Sequence, residues 1–260
     1  MHLLLYGPGR LGGAVAAAAT AGGWTVAAVG RPPMHGPRPA APAADVVVDA
    51  SLGAAVPTNL AHAIAAGNRS FILAATGWEM DQSRVRAMLA EHDAVAVAAT
   101  NLSLGAALFL RLVEQAAGWY ARAGAFEPSI VEWHRRGKAD RPSGTARAIA
   151  RRIVAADPRW AGPDDAGIVP ETQHAPRPGV RPVLEVAGIR AGAAPGCHLV
   201  TFDGPGESVE LRLTARDRSA YADGALAAAR WLTAAARSPG IHPFDEVVDD
   251  LLGAPAAVLA

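Results

Sequence analysis

The first hundred residues alternate short apolar runs with segments of helical character. Apolar runs occupy residues 3–6, 24–29, 45–50, 71–75 and 94–99, and helices are predicted over 14–21, 58–66 and 81–91. The run at 45–50 is rich in valine, which is typical of a strand buried in a parallel sheet. The alternation predicts an α/β fold with a Rossmann-like, doubly wound parallel sheet.

After residue 100 the pattern changes. Residues 104–123 and 145–156 are predicted helices, 130–133 a strand, and 221–236 a closing helix that returns to the first domain. Three further strands are predicted at 184–192, 197–204 and 208–216, with antiparallel pairing between neighbours. We therefore predict two domains. Residues 1–104 and 216–260 form a dinucleotide-binding domain, and residues 105–215 form an α+β domain with a mostly antiparallel sheet.

Composition and charge exclude several classes of protein. Hydrophobic residues make up 51% of the chain and charged residues 18%, which favours a packed core over disorder. Basic and acidic residues number 24 each, so no global charge attracts nucleic acid. The first apolar run is too short for a signal or membrane segment. The single cysteine, Cys197, excludes a multi-thiol site. We expect a cytoplasmic protein with no metal, membrane or nucleic-acid partner.

A glycine-rich turn joins the first strand to the first helix. The residues Gly7, Pro8, Gly9, Arg10, Leu11 and Gly12 fit the pattern G-x-G-x-x-G. Such glycines permit a tight turn, a close approach of the backbone to a pyrophosphate, and close packing of helix on strand. A purely structural turn is the alternative. In this context we predict a nicotinamide dinucleotide site.

The residues after the second strand bear on the choice between NADPH and NADH. An acidic residue there would bind the 2′-hydroxyl of NAD, but this chain has Gly30 and Arg31. Arg31 could pair with a 2′-phosphate, or it could be a solvated loop residue. We predict NADPH as the cofactor and leave NADH open.

Residues 132–146 bring three kinds of chemistry together. His134 and Lys138 can supply a proton near neutral pH. Arg135, with Arg136 and Lys138, forms a local anion trap. Ser143, Gly144 and Thr145 open a helix, where N–H groups and a hydroxyl can bind a carboxylate. Each feature alone is more often structural, as a helix cap or a solvated turn. Together they predict a site for a small dicarboxylate that gains a hydride and a proton.

The same segment resembles the active-site motif of dihydrodipicolinate reductases, E-x-H-H-x-x-K-x-D-x-P-S-G-T-A. It matches at Glu132, His134, Lys138, Asp140, Pro142, Ser143, Gly144, Thr145 and Ala146. Weaker similarities follow the family order: the glycine turn, residues 74–77 and 99–103, residues 189–192 with Gly196 and His198, and Arg218. The resemblance extends over nearly the whole chain.

The resemblance implies a reaction and roles for residues. NAD(P)H would reduce dihydrodipicolinate, formed from 4-hydroxy-tetrahydrodipicolinate, to tetrahydrodipicolinate on the route to diaminopimelate and lysine. His134 would donate the proton, and Lys138 would be its partner and also pair with a substrate carboxylate. Gly144 and Thr145 would hold a carboxylate, and Arg135 stands where a histidine helps to bind substrate. The cofactor would be lined by the glycine turn and by Ala74, Ala75, Thr76, Ala99, Thr100, Asn101 and Leu102. A homotetramer built through the second domain is also implied.

Departures from the motif keep two alternatives open. Arg135 and Gly137 replace histidines of the family, Ala193 and Cys197 replace its Asp and Glu, and Ala74 with Ala75 replaces Gly-Thr. A related reductase of another carboxylated cyclic imine is therefore the second hypothesis. A cofactor-binding regulator without catalysis is the third, and the presence of both His134 and Lys138 argues against it.

Overall fold

A computed structural model describes residues 1–30, 38–162 and 181–253. These residues fall into two compact units. One comprises residues 1–104 together with the described residues from Arg218 onward, and the other is Gly105–Asp217. In the described part of the chain, no helix is long and apolar enough to cross a membrane.

The first unit is built on a six-stranded parallel sheet, which confirms the predicted Rossmann-like fold. Its strands are β1 (His2–Tyr6), β2 (Thr25–Val29), β3 (Val46–Asp49), β4 (Ser70–Leu73), β5 (Val95–Ala98) and β10 (Gly240–Pro243), in the spatial order β10-β5-β4-β3-β1-β2. Every neighbouring pair is parallel. The central strands β1 and β3 are mostly apolar and buried because both faces of the sheet are covered.

The described part of this unit contains five helices: α1 (Arg10–Ala21), α2 (Val56–Ala65), α3 (Gln82–Glu91), α6 (Ser219–Ala234) and α7 (Phe244–Gly253). Short 3-10 turns, Gly53–Ala55 and Glu79–Asp81, precede α2 and α3. The core on one sheet face joins Leu4, Tyr6 and Val47 to apolar side chains of α2 and α3. This packing fixes the carboxyl ends of the strands, where the glycine turn lies.

The described residues of the second unit pack two helices on a four-stranded mixed sheet. It contains α4 (Leu104–Ala123), β6 (Glu127–His134), α5 (Gly144–Ala156), β7 (Glu185–Arg190), β8 (Cys197–Asp203) and β9 (Ser208–Thr214), with strand order β7-β6-β8-β9. Two of the three pairings are antiparallel, as predicted for the sheet as a whole. The predicted antiparallel pairing of β7 with β8 is wrong. β6 lies between them and pairs parallel with β7, so β7 has no ladder with β8.

Sequence patterning missed two elements near the end of the chain. β10 has four residues, only one of them a bulky apolar side chain, and it ends in Pro243, so its pattern is too weak to predict a strand. It pairs only with β5 at the edge of the sheet, where little is required of its side chains. Helix α7 follows directly and buries Phe244, Val247 and Val248.

Candidate functional site

The glycine turn has the geometry that its sequence predicts. Gly7 has a φ of +79°, and a Cβ there would lie 2.6 Å from the Cα atom of Ser51. A Cβ on Gly12 would overlap the carbonyl oxygen of Gly7. A Cβ on Gly9, by contrast, would meet no atom within 4 Å. Gly7 and Gly12 therefore keep the turn tight, and Gly9 leaves its backbone open to an approaching group.

The turn leads directly into helix α1, whose N-terminus has no side-chain cap. Gly9 is the N-cap of α1, and the first turn carries no acidic residue. Backbone N–H groups and the positive end of the helix dipole are thus left for an anion. Beside the turn lies a cavity of about 430 Å³, lined by Tyr6, Gly7, Pro8, Gly9, Val29, Gly30, Arg38, Ala50, Ser51, Leu52, Ala55 and Asn59. Open backbone at Gly9 and this adjoining space fit a dinucleotide pyrophosphate.

Most of the other predicted cofactor residues lie in two further cavities of the first unit. One, of about 180 Å³, is lined by Leu11, Ala74, Ala99, Thr100, Asn101, Leu102, Arg218 and Tyr221. The other, of about 360 Å³, includes Ala75, Ala99 and Thr100. Arg10 and Thr76 are exposed and line none of these three cavities. Arg31, the predicted reader of the 2′-phosphate, lies outside the described residues.

In the second unit, strand β6 carries the candidate proton donor. Alternation along the strand places Glu132 and His134 on the same buried face, with Glu132 fully buried and His134 7% exposed. Glu132 Oε2 lies 3.3 Å from His134 Nδ1. A Cβ on Gly196 would lie 3.2 Å from His134 Nε2, so the glycine leaves room beside that ring nitrogen.

The carboxylate of Glu132 joins three segments that are distant in sequence. Its Oε1 accepts a hydrogen bond from the backbone N–H of Ser143 at 3.0 Å and one from Arg190 Nη2 at 2.7 Å. Arg190, at the end of β7, also donates to the carbonyl of Asp140. His198 of β8 approaches Glu132 Oε2 to 3.6 Å through Nε2. The buried negative charge is thus paired with the Arg190 guanidinium.

The same histidine of β8 contacts the predicted substrate segment. His198 Nε2 lies 3.1 Å from the hydroxyl of Ser143, and that hydroxyl accepts from the N–H of Ala146 as the N-cap of α5. The rings of His134 and His198 meet edge to face at 5.2 Å. Ser143 is 2% exposed. Its hydroxyl therefore serves the buried network and the helix cap.

Burial and neighbours set the charges of this cluster. Burial would raise the pKa of Glu132, but contacts with His198, Ser143 and Arg190 hold that pKa well below its usual range. Burial lowers the pKa of His134 to about 4, against the opposing pull of Glu132. At neutral pH the resting protein therefore holds Glu132 ionised and His134 neutral.

The remaining predicted residues surround this network at the surface. Lys138 is half-buried, and its Nζ lies 2.6 Å from Asp140 Oδ1. The salt bridge with Lys138 and the Gly144 backbone lower the pKa of Asp140 against the effect of burial. Arg135 and Gly144 are exposed, and Thr145 is half-buried in the first turn of α5. Asp140 thus engages two of the groups that were predicted to bind a substrate carboxylate.

A divalent cation is a second use to consider for the buried cluster. Single donor atoms of Glu132, His134 and His198 all lie within 4.8 Å of one another. However, Glu132 is already neutralised by Arg190, and its Oε1 already accepts two hydrogen bonds. Oε2 faces both histidines at 3.3 Å and 3.6 Å, but the carboxylate charge is already shared with Arg190, which disfavours a cation, and we assign the cluster to holding His134.

Sequence reasoning gave no role to Arg190 or His198. They enter only through the family resemblance, as parts of residues 189–192 and of the stretch around Gly196. Their partners are more than 50 positions away, and no local spacing encodes such contacts. The available signal was the position of each at one end of a predicted strand.

Comparison with known proteins places the chain in a family. A family model described as dihydrodipicolinate reductase, C-terminus, matches residues 105–248, more than half of the chain. The 4-hydroxy-tetrahydrodipicolinate reductase of Methanoculleus marisnigri is 33% identical over 205 residues, which cover 78% of this chain and 75% of that protein. The chain belongs to the dihydrodipicolinate reductase family.

A second relative and a solved structure are also similar to this chain. The protein of the same name from Archaeoglobus fulgidus is 34% identical over 209 residues, covering 79% of this chain and 76% of that one. A solved, dipicolinate-bound dihydrodipicolinate reductase from Paenisporosarcina sp. TG-14 has a TM-score of 0.69 at 17% identity, covering 94% of this chain and 97% of that chain. The second similarity concerns the fold alone. The family resemblance inferred from the sequence is confirmed.

Proposed function

We propose that this chain reduces 4-hydroxy-tetrahydrodipicolinate, by way of dihydrodipicolinate, to tetrahydrodipicolinate in lysine and diaminopimelate biosynthesis. The observation that carries the proposal is family membership combined with the His134 cluster. Relatives at 33–34% identity carry the name of this activity. In this chain His134, Lys138 and the N-terminus of α5 supply a proton donor and two carboxylate-binding groups.

A bound nicotinamide cofactor supplies the hydride. The protein's own contribution is to bind the substrate carboxylates and to deliver a proton. Because burial favours the neutral form of His134, a proton becomes available there only when negative charge arrives nearby. A dianionic substrate held by Lys138 and the first turn of α5 brings that charge. Substrate binding would therefore raise the pKa of His134 and prepare it as the general acid.

Lys138 must exchange partners for this to happen. Its ammonium group is paired with Asp140, which is half-buried and screened by solvent. Surface ion pairs contribute only about 0–1 kcal/mol, so a substrate carboxylate can replace Asp140 at little cost. The N–H groups at the start of α5 favour a carboxylate through the helix dipole. These groups orient the ring relative to His134.

We further propose NADPH as the preferred cofactor, with NADH as the weaker alternative. Among the described residues that line the cavity at the glycine turn, none is acidic. An acid at this place would favour the ribose hydroxyls of NAD and repel a 2′-phosphate.

The test is oxidation of NADPH, followed by absorbance, with freshly generated dihydrodipicolinate. We expect turnover with saturation in both reactants. Negligible turnover by a protein that still binds NADP⁺ would overturn the assignment. It would instead support the second candidate, a reductase of another carboxylated cyclic imine. Arg135, exposed beside the site where the family has histidine, is the observation that favours this candidate.

We also propose that the protein is a homotetramer of the cytoplasm, formed through its second sheet. The sheet face opposite the core carries apolar side chains that are partly buried, namely Val131, Trp133 and Leu199, or exposed, namely Ile189. These residues are neighbours across β7, β6 and β8. Light scattering coupled to size exclusion tests this proposal, and a monomer mass would contradict it.

A further inference from the structure

An arginine from the segment before β3 lies in the cavity beside the glycine turn. Arg38 lines this cavity together with Gly9 of the turn and Gly30, which follows β2. It is the only charged residue among the described residues that line the cavity. In dinucleotide-binding folds, the end of the second strand is where the ribose of the adenosine lies. Arg38 thus brings a positive charge to the place that distinguishes NADP from NAD.

One edge of the Arg38 guanidinium is anchored through a buried polar relay. Its Nη1 donates to Asn59 Oδ1 at 3.0 Å, and Asn59 Nδ2 donates to Asp49 Oδ2 at 3.0 Å. Asp49 is 3% exposed and also accepts from the N–H of Ser51 at 2.9 Å. The neutral amide of Asn59 therefore orients Arg38, and no carboxylate of the described residues is hydrogen-bonded to its guanidinium.

A second set of contacts fixes the backbone next to Arg38. The Tyr6 hydroxyl lies 2.7 Å from His62 Nδ1, and His62 Nε2 lies 2.8 Å from the carbonyl oxygen of Pro39. Because that carbonyl can only accept, Nε2 carries the proton and Nδ1 accepts from Tyr6. Burial raises the pKa of Tyr6 to about 12, so the phenol stays neutral. The guanidinium of Arg38 lies over the Tyr6 ring, 5.0 Å from its centroid.

The other edge of the guanidinium lacks good partners among the described residues. Within them, Arg38 Nε is buried with no hydrogen-bond partner, and Nη2 has only a long contact of 3.5 Å with the carbonyl of Gly30. A buried donor left unsatisfied costs stability, so such a group is well suited to a ligand oxygen. A phosphate matches the fork of a guanidinium through two parallel hydrogen bonds. The free edge of Arg38 thus specifies an oxyanion.

We propose that Arg38 binds the 2′-phosphate of NADPH and determines the cofactor preference of this reductase, with Asn59 as its positioning residue. The proposal rests on the proposed function for the presence of a nicotinamide cofactor. It assigns the selectivity to Arg38, which the relay holds in the cavity, and not to Arg31, which sequence reasoning favoured.

Calorimetric titration of NADP⁺ and NAD⁺ tests this without reference to turnover. Arg38→Ala should weaken NADP⁺ binding by about tenfold to a hundredfold, the usual worth of a charge-assisted hydrogen bond. NAD⁺ binding should change by less than about threefold, and Arg38→Lys should restore part of the loss. Arg38→Ala should likewise weaken the binding of adenosine 2′,5′-bisphosphate, which carries the 2′-phosphate, more than that of 5′-AMP, which lacks it. Arg84→Ala, an exposed arginine of α3, is the matched control.

Two comparisons would overturn the proposal. One is an equal loss for both dinucleotides in Arg38→Ala; the other is a selective loss in Arg31→Ala with none in Arg38→Ala. Asn59→Ala should give a smaller loss of affinity, again for NADP⁺ more than for NAD⁺. If Arg38→Ala unfolds, the test is made with Arg38→Lys, whose melting curve should have the same midpoint as that of the unmodified protein. If the unmodified protein binds neither dinucleotide, the proposed function itself fails. If it binds NADP⁺ but does not reduce dihydrodipicolinate, only the substrate assignment fails.

Discussion

The two candidate sites of this molecule differ in how many of their polar groups are already engaged within the protein. Around the glycine turn, polar groups are left available: the N–H groups at the uncapped start of α1 and, among the described residues, one edge of the Arg38 guanidinium. Around His134, the buried Glu132 carboxylate is already engaged: it joins three segments and pairs with the Arg190 guanidinium. The first site is prepared to receive an anion. The second is prepared to hold one imidazole in place, so changes in the two units should separate cofactor binding from proton delivery.

The largest expected effect comes from Glu132→Gln. Removing the charge leaves the Arg190 guanidinium buried without its carboxylate, so we expect a loss of about 3 kcal/mol in the free energy of unfolding. Turnover should fall as well, because His134 loses its fixed neighbour. Urea denaturation measures the first effect and NADPH oxidation the second.

Glu207→Gln, in the exposed turn between β8 and β9, is the control for that change. The affinity of Glu132→Gln for NADP⁺ should equal that of the unmodified protein, since the carboxylate belongs to the other unit. A loss of stability below about 1 kcal/mol would refute the buried pairing of Glu132 with Arg190.

Two glycines of the turn should respond differently. Gly12→Ala forces a Cβ against the carbonyl of Gly7 and should cost about 1–3 kcal/mol, the usual range for overpacking. Gly9→Ala meets open space, so its stability should change by less than about 1 kcal/mol while NADP⁺ binding weakens. Denaturation and calorimetry on both variants check this. Unaltered NADP⁺ affinity in Gly9→Ala would mean that the open backbone is not the anion site.

Acidification should destabilise the second unit through His134. Its pKa is about 4 in the folded protein and about 6.5 when unfolded, so between these values the unfolded state binds more protons. The stability contribution is present above about pH 6.5 and is lost as the pH falls. We expect a loss of about 2 kcal/mol between pH 7 and pH 5. Glu132, whose pKa is lowered, adds a further loss below its unfolded value.

Urea denaturation at several pH values measures this loss, and His134→Gln should remove most of it. His242 works in the opposite direction: although burial lowers its pKa, contacts with Ser238 and Glu246 raise it overall. The stability it contributes is therefore present at low pH and declines as the pH rises. A stability that is flat from pH 7 to pH 5 in the unmodified protein would be inconsistent with a neutral, buried His134.

The smallest effect is expected at Arg135. Exposed charges contribute about 0.2–1 kcal/mol to an ion pair, so Arg135→Ala should raise the KM for dihydrodipicolinate by about two- to fivefold and leave kcat unchanged. Steady-state kinetics with varied substrate checks it. A fall in kcat of tenfold would give Arg135 a role in the reaction itself and favour a different substrate pose.

How far the sequence predicts each site depends on how many positions separate the contacting residues along the chain. The glycine turn is local: its strand, turn and helix are consecutive, and periodicity with three glycines was enough to predict it. Arg38 was not predicted, because its anchor Asn59 lies 21 positions away. In the second unit, the strand of His134 and the N-cap Ser143 follow from local patterns.

Residues brought in by pairing of distant strands were not predictable in the same way. Arg190 reaches Glu132 because β7 pairs parallel with β6, whereas the sequence pattern favoured antiparallel neighbours. His198 arrives through the antiparallel pairing of β6 with β8. Register between strands 50 or more positions apart depends on packing against α4 and α5, which no local spacing records.

The most direct test of the account is a paired measurement on His134→Ala, with His134→Gln as the variant that keeps the volume of the side chain. We predict that turnover of dihydrodipicolinate with NADPH falls by about a hundredfold or more, the usual contribution of a general acid. The affinity for NADP⁺ should stay within about twofold, and His92→Ala, an exposed histidine, should change neither quantity. An unchanged rate in both His134 variants, or a parallel loss of NADP⁺ binding, would contradict the separation of proton delivery from cofactor binding.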